Sequence, residues 1–303
     1  PANVMNMYHD HANAYEAWDI DPFHADTRRE LPGASEHGVQ REDPLRVELS
    51  FTHQLSDKSR MTQTVSLDAD AHLLRFDNHV DWRETRQLLK VAFPVDARAM
   101  DATYEMQFGH VQRPTHYNTS FDLARFEVPM HRWFDFSEPG TGLAVLNDCK
   151  YGGSTFDNVM RLTLLRAPNT PDPTCDRGEH TFAYALMPHA GDWRAAGVVQ
   201  EAIAMNHPLH RGQSIGSEPF VSVDAPELVL DTIKRSEDGQ ALILRLYESH
   251  GRRGEATLHF ATPPKKVTRA NVLEDPGEDV AVSGDGVKIG YTPFQLITLR
   301  CEL

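Results

Sequence analysis

Val47-Glu48-Leu49-Ser50-Phe51-Thr52 places an apolar residue at every second position with a polar one between. Successive side chains leave a strand on opposite faces, so this period of two describes a strand with one face on a core. Working outward, comparable runs occupy residues 61–67, 72–80, 88–93, 102–108, 125–134, 142–147, 159–165 and 181–187. Turn formers separate them: Ser56-Asp57, Asp68-Ala69-Asp70, Pro94-Val95-Asp96, Pro139-Gly140, Gly152-Gly153 and the Pro-rich stretch 169–173. The chain reads as all-β.

One segment departs from this period. Trp193, Val198, Ala202 and Met205 recur at helical spacing across 192–206 before Pro208, which predicts one short helix. The Gly- and Ser-rich stretch 210–219 has little to bury and reads as a connection, with a domain boundary near Val221. Beyond it, short strands over 227–233, 241–247, 254–260, 267–273, 280–282, 287–291 and 295–299 have the density of an immunoglobulin-like sandwich. The expected division is a lead-in over 1–45, a large β unit over 46–220 and a small sandwich over 221–303. The start at Pro1, running directly into Val4-Met5-Asn6-Met7-Tyr8, reads as a piece of a longer protein whose lead-in packs on an upstream region.

The 303 residues carry 30 Lys and Arg against 44 Asp and Glu, a formal charge of −14. Such a field repels phosphate backbones and anionic lipid, so neither nucleic acid nor a membrane surface is an expected partner. No run is long and apolar enough for a transmembrane helix. Cys149, Cys175 and Cys301 are odd in number and far apart, which points to reduced thiols and a cytoplasmic setting.

Most motif matches fail on chemistry. Asp19, Asp21 and Glu30 fit positions one, three and twelve of a calcium loop, but His24 stands where the loop needs glycine. Gly212-Gln213-Ser214-Ile215-Gly216 spells a nucleophile elbow without the strand and helix that the elbow joins. His9-Asp10-His11 offers two imidazoles and a carboxylate to a transition metal but no third ligand at a recognisable spacing. Asn118-Thr119-Ser120 is a glycosylation sequon, which matters only in a secreted protein. No glycine run has the dinucleotide or Walker spacing.

Three polar stretches remain. Residues 107–120 mix amide, imidazole, guanidinium and aromatic groups in one expected loop, which suits either a sugar or an internally bonded loop that fastens two sheets. Residues 126–135 and the strand end Leu146-Asn147-Asp148-Cys149-Lys150-Tyr151-Gly152 pose the same choice.

Together these stretches resemble the C-terminal β-rich half of family 38 glycoside hydrolases, the α-mannosidases, on their cytosolic-type branch. The resemblance is carried by Tyr15-Glu16-Ala17-Trp18-Asp19-Ile20-Asp21, by Thr103-Tyr104-Glu105-Met106-Gln107-Phe108-Gly109-His110 and by residues 112–120. It continues through His131-Arg132-Trp133, residues 146–152, Leu164-Leu165-Arg166-Ala167-Pro168, residues 182–189 and Pro293-Phe294-Gln295, essentially the whole chain. It implies a β-supersandwich like that of galactose mutarotase, followed by the small sandwich. It also implies hydrolysis of terminal α-mannosides with retention, by a carboxylate nucleophile, a second carboxylate as acid/base and a zinc ion on the vicinal hydroxyls. Retention places the two carboxyl groups about 5–5.5 Å apart. In the family the nucleophile and zinc ligands precede this half, and no position here matches their motifs. The expectation is therefore no catalytic and no metal-binding residue in this chain, with zinc held by an upstream α/β catalytic domain. That domain and the mannoside are the expected partners, with a homo-oligomer left open. The resemblance also implies an arginine from the β half near the sugar, for which Arg166 is the candidate, with Asn147, Asp148 and Tyr151 on the same rim.

Two other functions fit the residues. A free-standing sugar mutarotase or epimerase would pair His110 with Glu127 as acid and base. A carbohydrate-binding or assembly module would need no chemistry at all.

Overall fold

The computed structural model describes residues 2–210, 212, 219–284 and 286–303. Residues 213–216 of the elbow string lie outside the described residues. The chain divides into two compact units, residues 1–105 with 111–208 and residues 106–110 with 209–303. Both are built of antiparallel strands, as the period of two requires.

The first unit holds two sheets. The six-stranded sheet runs in the order Val128–Pro129, Gly152–Phe156, Val159–Arg166, Gln87–Pro94, Val4–His9, Arg29–Glu30. The nine-stranded sheet runs Glu36–Asp43, Arg46–Gln54, Arg60–Asp68, Leu74–Trp82, Gly178–Ala190, Thr141–Asn147, Trp133–Glu138, Asp101–Met106, Gly109–Pro114. Met61, Val80, Trp82, Phe93, Phe134, Met160 and Leu162 are fully or nearly fully buried in its core. The predicted helix forms only over Val198–Asn206, because Gly197 at φ 76° turns the chain there.

Residues 1–45 supply strands to both sheets of this unit. Val4–His9 pairs along its length with Gln87–Pro94, and Glu36–Asp43 forms a hairpin with Arg46–Gln54. The expected strand over 125–134 is two short strands, Val128–Pro129 and the start of Trp133–Glu138, in different sheets. Gly152-Gly153, read as a turn, opens a strand instead. The expected loop 107–120 contains the strand Gly109–Pro114 and the short helix Ser120–Leu123, whose start is closed by a reciprocal Thr119–Asp122 capping box.

The second unit has a four-stranded sheet, Val221–Val223, Gly254–Phe260, Gly286–Tyr291, Val282–Ser283. Its five-stranded sheet runs Leu228–Arg235, Leu242–Glu248, Leu296–Glu302, Lys266–Ala270, Pro276–Val280. Leu244, Leu258, Val287, Leu299 and Cys301 are wholly buried in its core. His110 bonds the Ser249 carbonyl at 3.1 Å and its ring lies 5.1 Å from that of Phe294.

Candidate functional site

Three neighbouring interior strands of the six-stranded sheet bring their termini together at one end of it. Val4–His9 runs into Asp10, Gln87–Pro94 follows Arg86, and Val159–Arg166 ends on Arg166, with His9 opposite Gln87 and Arg166 opposite Leu88. The Asp10 N–H donates to the Arg86 carbonyl at 2.9 Å and the Arg86 N–H to the Ala167 carbonyl at 2.6 Å. These backbone bonds fix where the three side chains start.

Arg166 spends its guanidinium inward. Its Nε donates to Asp10 Oδ2 at 2.7 Å, and its Nη2 to Asp10 Oδ1 at 3.1 Å and to the carbonyls of Glu16 and Asp19, both at 2.7 Å. The planar fork takes the Asp10 carboxylate through Nε and Nη2 together, and Nη2 also reaches the two carbonyls. Arg86 grips the same loop by two bonds to Glu16 Oε1, at 3.0 and 2.7 Å, and the Asn169 N–H donates to Glu16 Oε2 at 2.9 Å. The Arg86 and Asn169 hydrogen bonds hold the Glu16 carboxyl below its usual pKa.

The loop over 11–21 is thus tied down from within while its large rings point out. Tyr15 is 81% exposed and Trp18 89%. Tyr15 and Trp18 together place two large solvated rings on a fixed loop. Of the His9-Asp10-His11 string, Asp10 anchors Arg166. The calcium pattern dissolves as well: Asp19 accepts from the Ile20 N–H and Asp21 from the Asn13 N–H.

The other predicted rim residues share the turn after Thr141–Asn147. Asn147 is buried, donating to the His131 carbonyl at 2.8 Å and accepting from the Lys150 N–H at 2.6 Å. Asp148 accepts from the Ala183 N–H at 2.9 Å. Tyr151 is exposed, with its ring 6.0 Å from that of His131. Among the described residues no hydrogen bond joins Arg166 to this turn.

Sequence reading passed over a second cluster on the six-stranded sheet. Lys90, in the middle of a buried strand, is 2% exposed and pairs with Glu127, which also accepts from the Thr163 hydroxyl of the neighbouring strand. Its ammonium lies 5.6 Å from the Tyr8 ring, and His24 packs at 5.2 Å from Tyr8 and 5.7 Å from Phe126. Burial alone would raise the Glu127 carboxyl, but the Lys90 ammonium and the bonds from Lys90 and Thr163 hold it below its usual value. Burial, then the same ammonium, pushes the His24 imidazole down. A lysine inside Leu88-Leu89-Lys90-Val91-Ala92-Phe93 is the signal that could have found this pair. Glu127, cast as an epimerase acid or base, is a locked carboxylate.

Among the described residues no three His, Cys, Asp or Glu side chains converge to hold a metal ion. The zinc that the resemblance implies has no seat among them.

The model of the Glycosyl hydrolases family 38 C-terminal domain matches residues 1–174, and that of the Glycosyl hydrolases family 38 C-terminal beta sandwich domain matches residues 227–299. Alpha-mannosidase 2C1 of Homo sapiens is 43% identical over 312 residues, covering 99% of this chain and 30% of that protein. Alpha-mannosidase of Saccharomyces cerevisiae is 34% identical over 301 residues, covering 90% of this chain and 28% of that protein. The chain thus spans under a third of the curated relatives it matches. The crystal structure of an alpha-mannosidase from Enterococcus faecalis V583 superposes with a TM-score of 0.82 at 16% identity, over 99% of this chain and 38% of that one. That last likeness is one of fold.

Proposed function

This chain belongs to glycosyl hydrolases family 38, and from that premise we propose that it is the non-catalytic C-terminal part of an α-mannosidase that cleaves terminal α-mannosides with retention. The nucleophile, acid/base and zinc belong to an upstream catalytic domain of the same polypeptide. This part walls the sugar pocket. Residues 1–45 face the upstream domain while lending strands to the supersandwich that 46–220 otherwise form, and 221–303 form the terminal sandwich. Unpaired Cys149, Cys175 and Cys301 suit a reducing cytoplasm.

The observation that carries the reading is the clamp of Arg166 on Asp10 and on the carbonyls of Glu16 and Asp19, beneath solvated Tyr15 and Trp18. A fixed loop with an aromatic tip supplies the stacking face that a pyranose needs, and Arg166 keeps the tip in place. Tyr151 extends the wall, while Asn147 and Asp148 shape the turn that carries it.

The test is steady-state cleavage of an aryl α-mannoside by the polypeptide containing this chain. Trp18→Ala should raise KM by about tenfold, the loss of one stacking contact of roughly 1–1.5 kcal/mol, with little change in kcat. An unchanged KM in both Trp18→Ala and Arg166→Ala would remove this loop from the pocket.

A further inference from the structure

The nine-stranded sheet carries a cavity of about 560 Å3 that the pocket wall does not use. Its floor is one face of that sheet. The register sets Leu49 opposite Val65, Phe51 opposite Gln63, and Val65 opposite Phe76, so these side chains and His53, two residues beyond Phe51, stand on the same side. Asn3 closes one wall.

His53 is 9% exposed, and both its ring nitrogens are buried without a hydrogen-bond partner. A neutral imidazole carries one donor and one acceptor, and leaving both unmet in a folded interior is unfavourable unless something occupies the space beside them. Burial also depresses the His53 pKa, which keeps the ring uncharged at neutral pH.

Further along the floor, Gln63 Nε2 donates to Asn78 Oδ1 at 2.7 Å and to the Tyr184 hydroxyl at 2.8 Å, while Gln63 Oε1 accepts from Asn3 Nδ2 at 2.7 Å. The Tyr184 hydroxyl in turn donates to Asn3 Oδ1 at 2.5 Å. This network freezes the two amides and leaves one lone pair on Gln63 Oε1 and one hydrogen on Asn3 Nδ2 unused. Apart from the imidazoles of His53 and His37, the residues lining the cavity carry no ionisable group. Fixed neutral donors and acceptors, apolar walls and no charge select an uncharged ligand with hydroxyls on one edge and a C–H face on the other.

We propose that this cavity is a second carbohydrate site, taking a neutral hexopyranose whose hydroxyls pair with His53 and with the Asn3–Gln63 edge while its C–H face lies on Phe51. His53 and Gln63 are diagonal neighbours on adjacent strands, roughly 7–8 Å apart at the backbone, and hydroxyls across a pyranose ring bridge such a gap. The site shares no residue with the Arg166 loop, so it stands or falls separately from the pocket wall.

Saturation-transfer NMR on the 303-residue chain tests it, with D-mannose, D-glucose and D-galactose as neutral probes and D-glucose 6-phosphate as the charged one. At least one neutral hexose should receive saturation and the phosphate ester none. His53→Leu should weaken binding about tenfold, the loss of one to two hydrogen bonds. Leu49→Trp, placed at the half-open rim, should fill the space and abolish binding while circular dichroism stays native. Absence of transfer to all three hexoses, binding of the phosphate ester alone, or hexose binding undiminished in both variants would each overturn the proposal.

Discussion

Replacing Lys90 by Met should be among the most damaging single changes in the first unit. The Lys90 side chain is 2% exposed and that of Glu127 10%, and among the described residues Thr163 is the other side chain hydrogen-bonded to that carboxylate. Removing one partner of a buried pair leaves an uncompensated charge and costs about 3–5 kcal/mol. For a unit of this size each kcal/mol shifts Tm by roughly 2–4 °C, so Lys90→Met should lower it by roughly 6–20 °C. Glu127→Leu should lose a comparable amount. The double variant Lys90→Met/Glu127→Leu should recover to within about 1–2 kcal/mol of the native chain, because no charge remains to be desolvated. All four tryptophans, Trp18, Trp82, Trp133 and Trp193, lie in the first unit, so their fluorescence reads its unfolding selectively. The sign with pH follows from a carboxyl held below its ordinary value of 4.5. The contribution is fully present above 4.5 and fades as pH falls through the lower folded value, and it should vanish in the double variant. If Lys90→Met costs under about 1 kcal/mol, or if the double variant loses the sum of the singles, the pair is not the buried charge lock described.

Arg166→Lys should loosen the loop over 11–21 nearly as much as Arg166→Ala, because a lysine ammonium has one nitrogen and cannot hold both Asp10 oxygens in the Nε/Nη2 fork while also reaching the Glu16 and Asp19 carbonyls; limited proteolysis should cut both variants in this loop faster than the native chain. His189 Nε2 bonds Asp135 at 2.7 Å inside the first unit, and although burial opposes its charge, Asp135 raises its pKa above 6.5. Its stabilisation is therefore complete below 6.5 and lost as pH climbs through the folded value; urea midpoints across this range should fall in the native chain and stay flatter in Asp135→Asn. Burial pushes the Cys301 thiol up to about 12 and the Cys149 thiol up to about 11, so iodoacetamide near neutral pH should label both slowly. Cys301 labelling should start only when urea opens the second unit, followed by mass spectrometry.

Strands with one face on a core announced themselves, and Arg46–Gln54, Arg60–Asp68 and Val159–Arg166 stand within one or two residues of where alternation put them. Edge and doubly covered strands did not. Glu36–Asp43 is almost wholly exposed, so its polar run has no apolar period to read, and Val4–His9 buries consecutive residues on both faces. At the candidate site, family resemblance points to Arg166, but its role as a clamp has no signal in the sequence. Its partners Asp10 and Glu16 lie about 150 residues away in sequence and meet it only because three adjacent strands end side by side at one end of the sheet. Glu127 invited an acid/base reading for the same reason: nothing local to residues 126–135 reveals Lys90 on another strand.

The central claim, that this chain completes a pocket whose chemistry resides elsewhere in the polypeptide, is tested most directly by incubating the folded 303-residue chain with 4-nitrophenyl α-mannoside and zinc. Nitrophenolate release should match that of heat-denatured chain, while the polypeptide extended to the length of its relatives releases it under the same conditions. Release by the 303-residue chain well above the denatured control, lost on replacing carboxylates within it, would contradict the account.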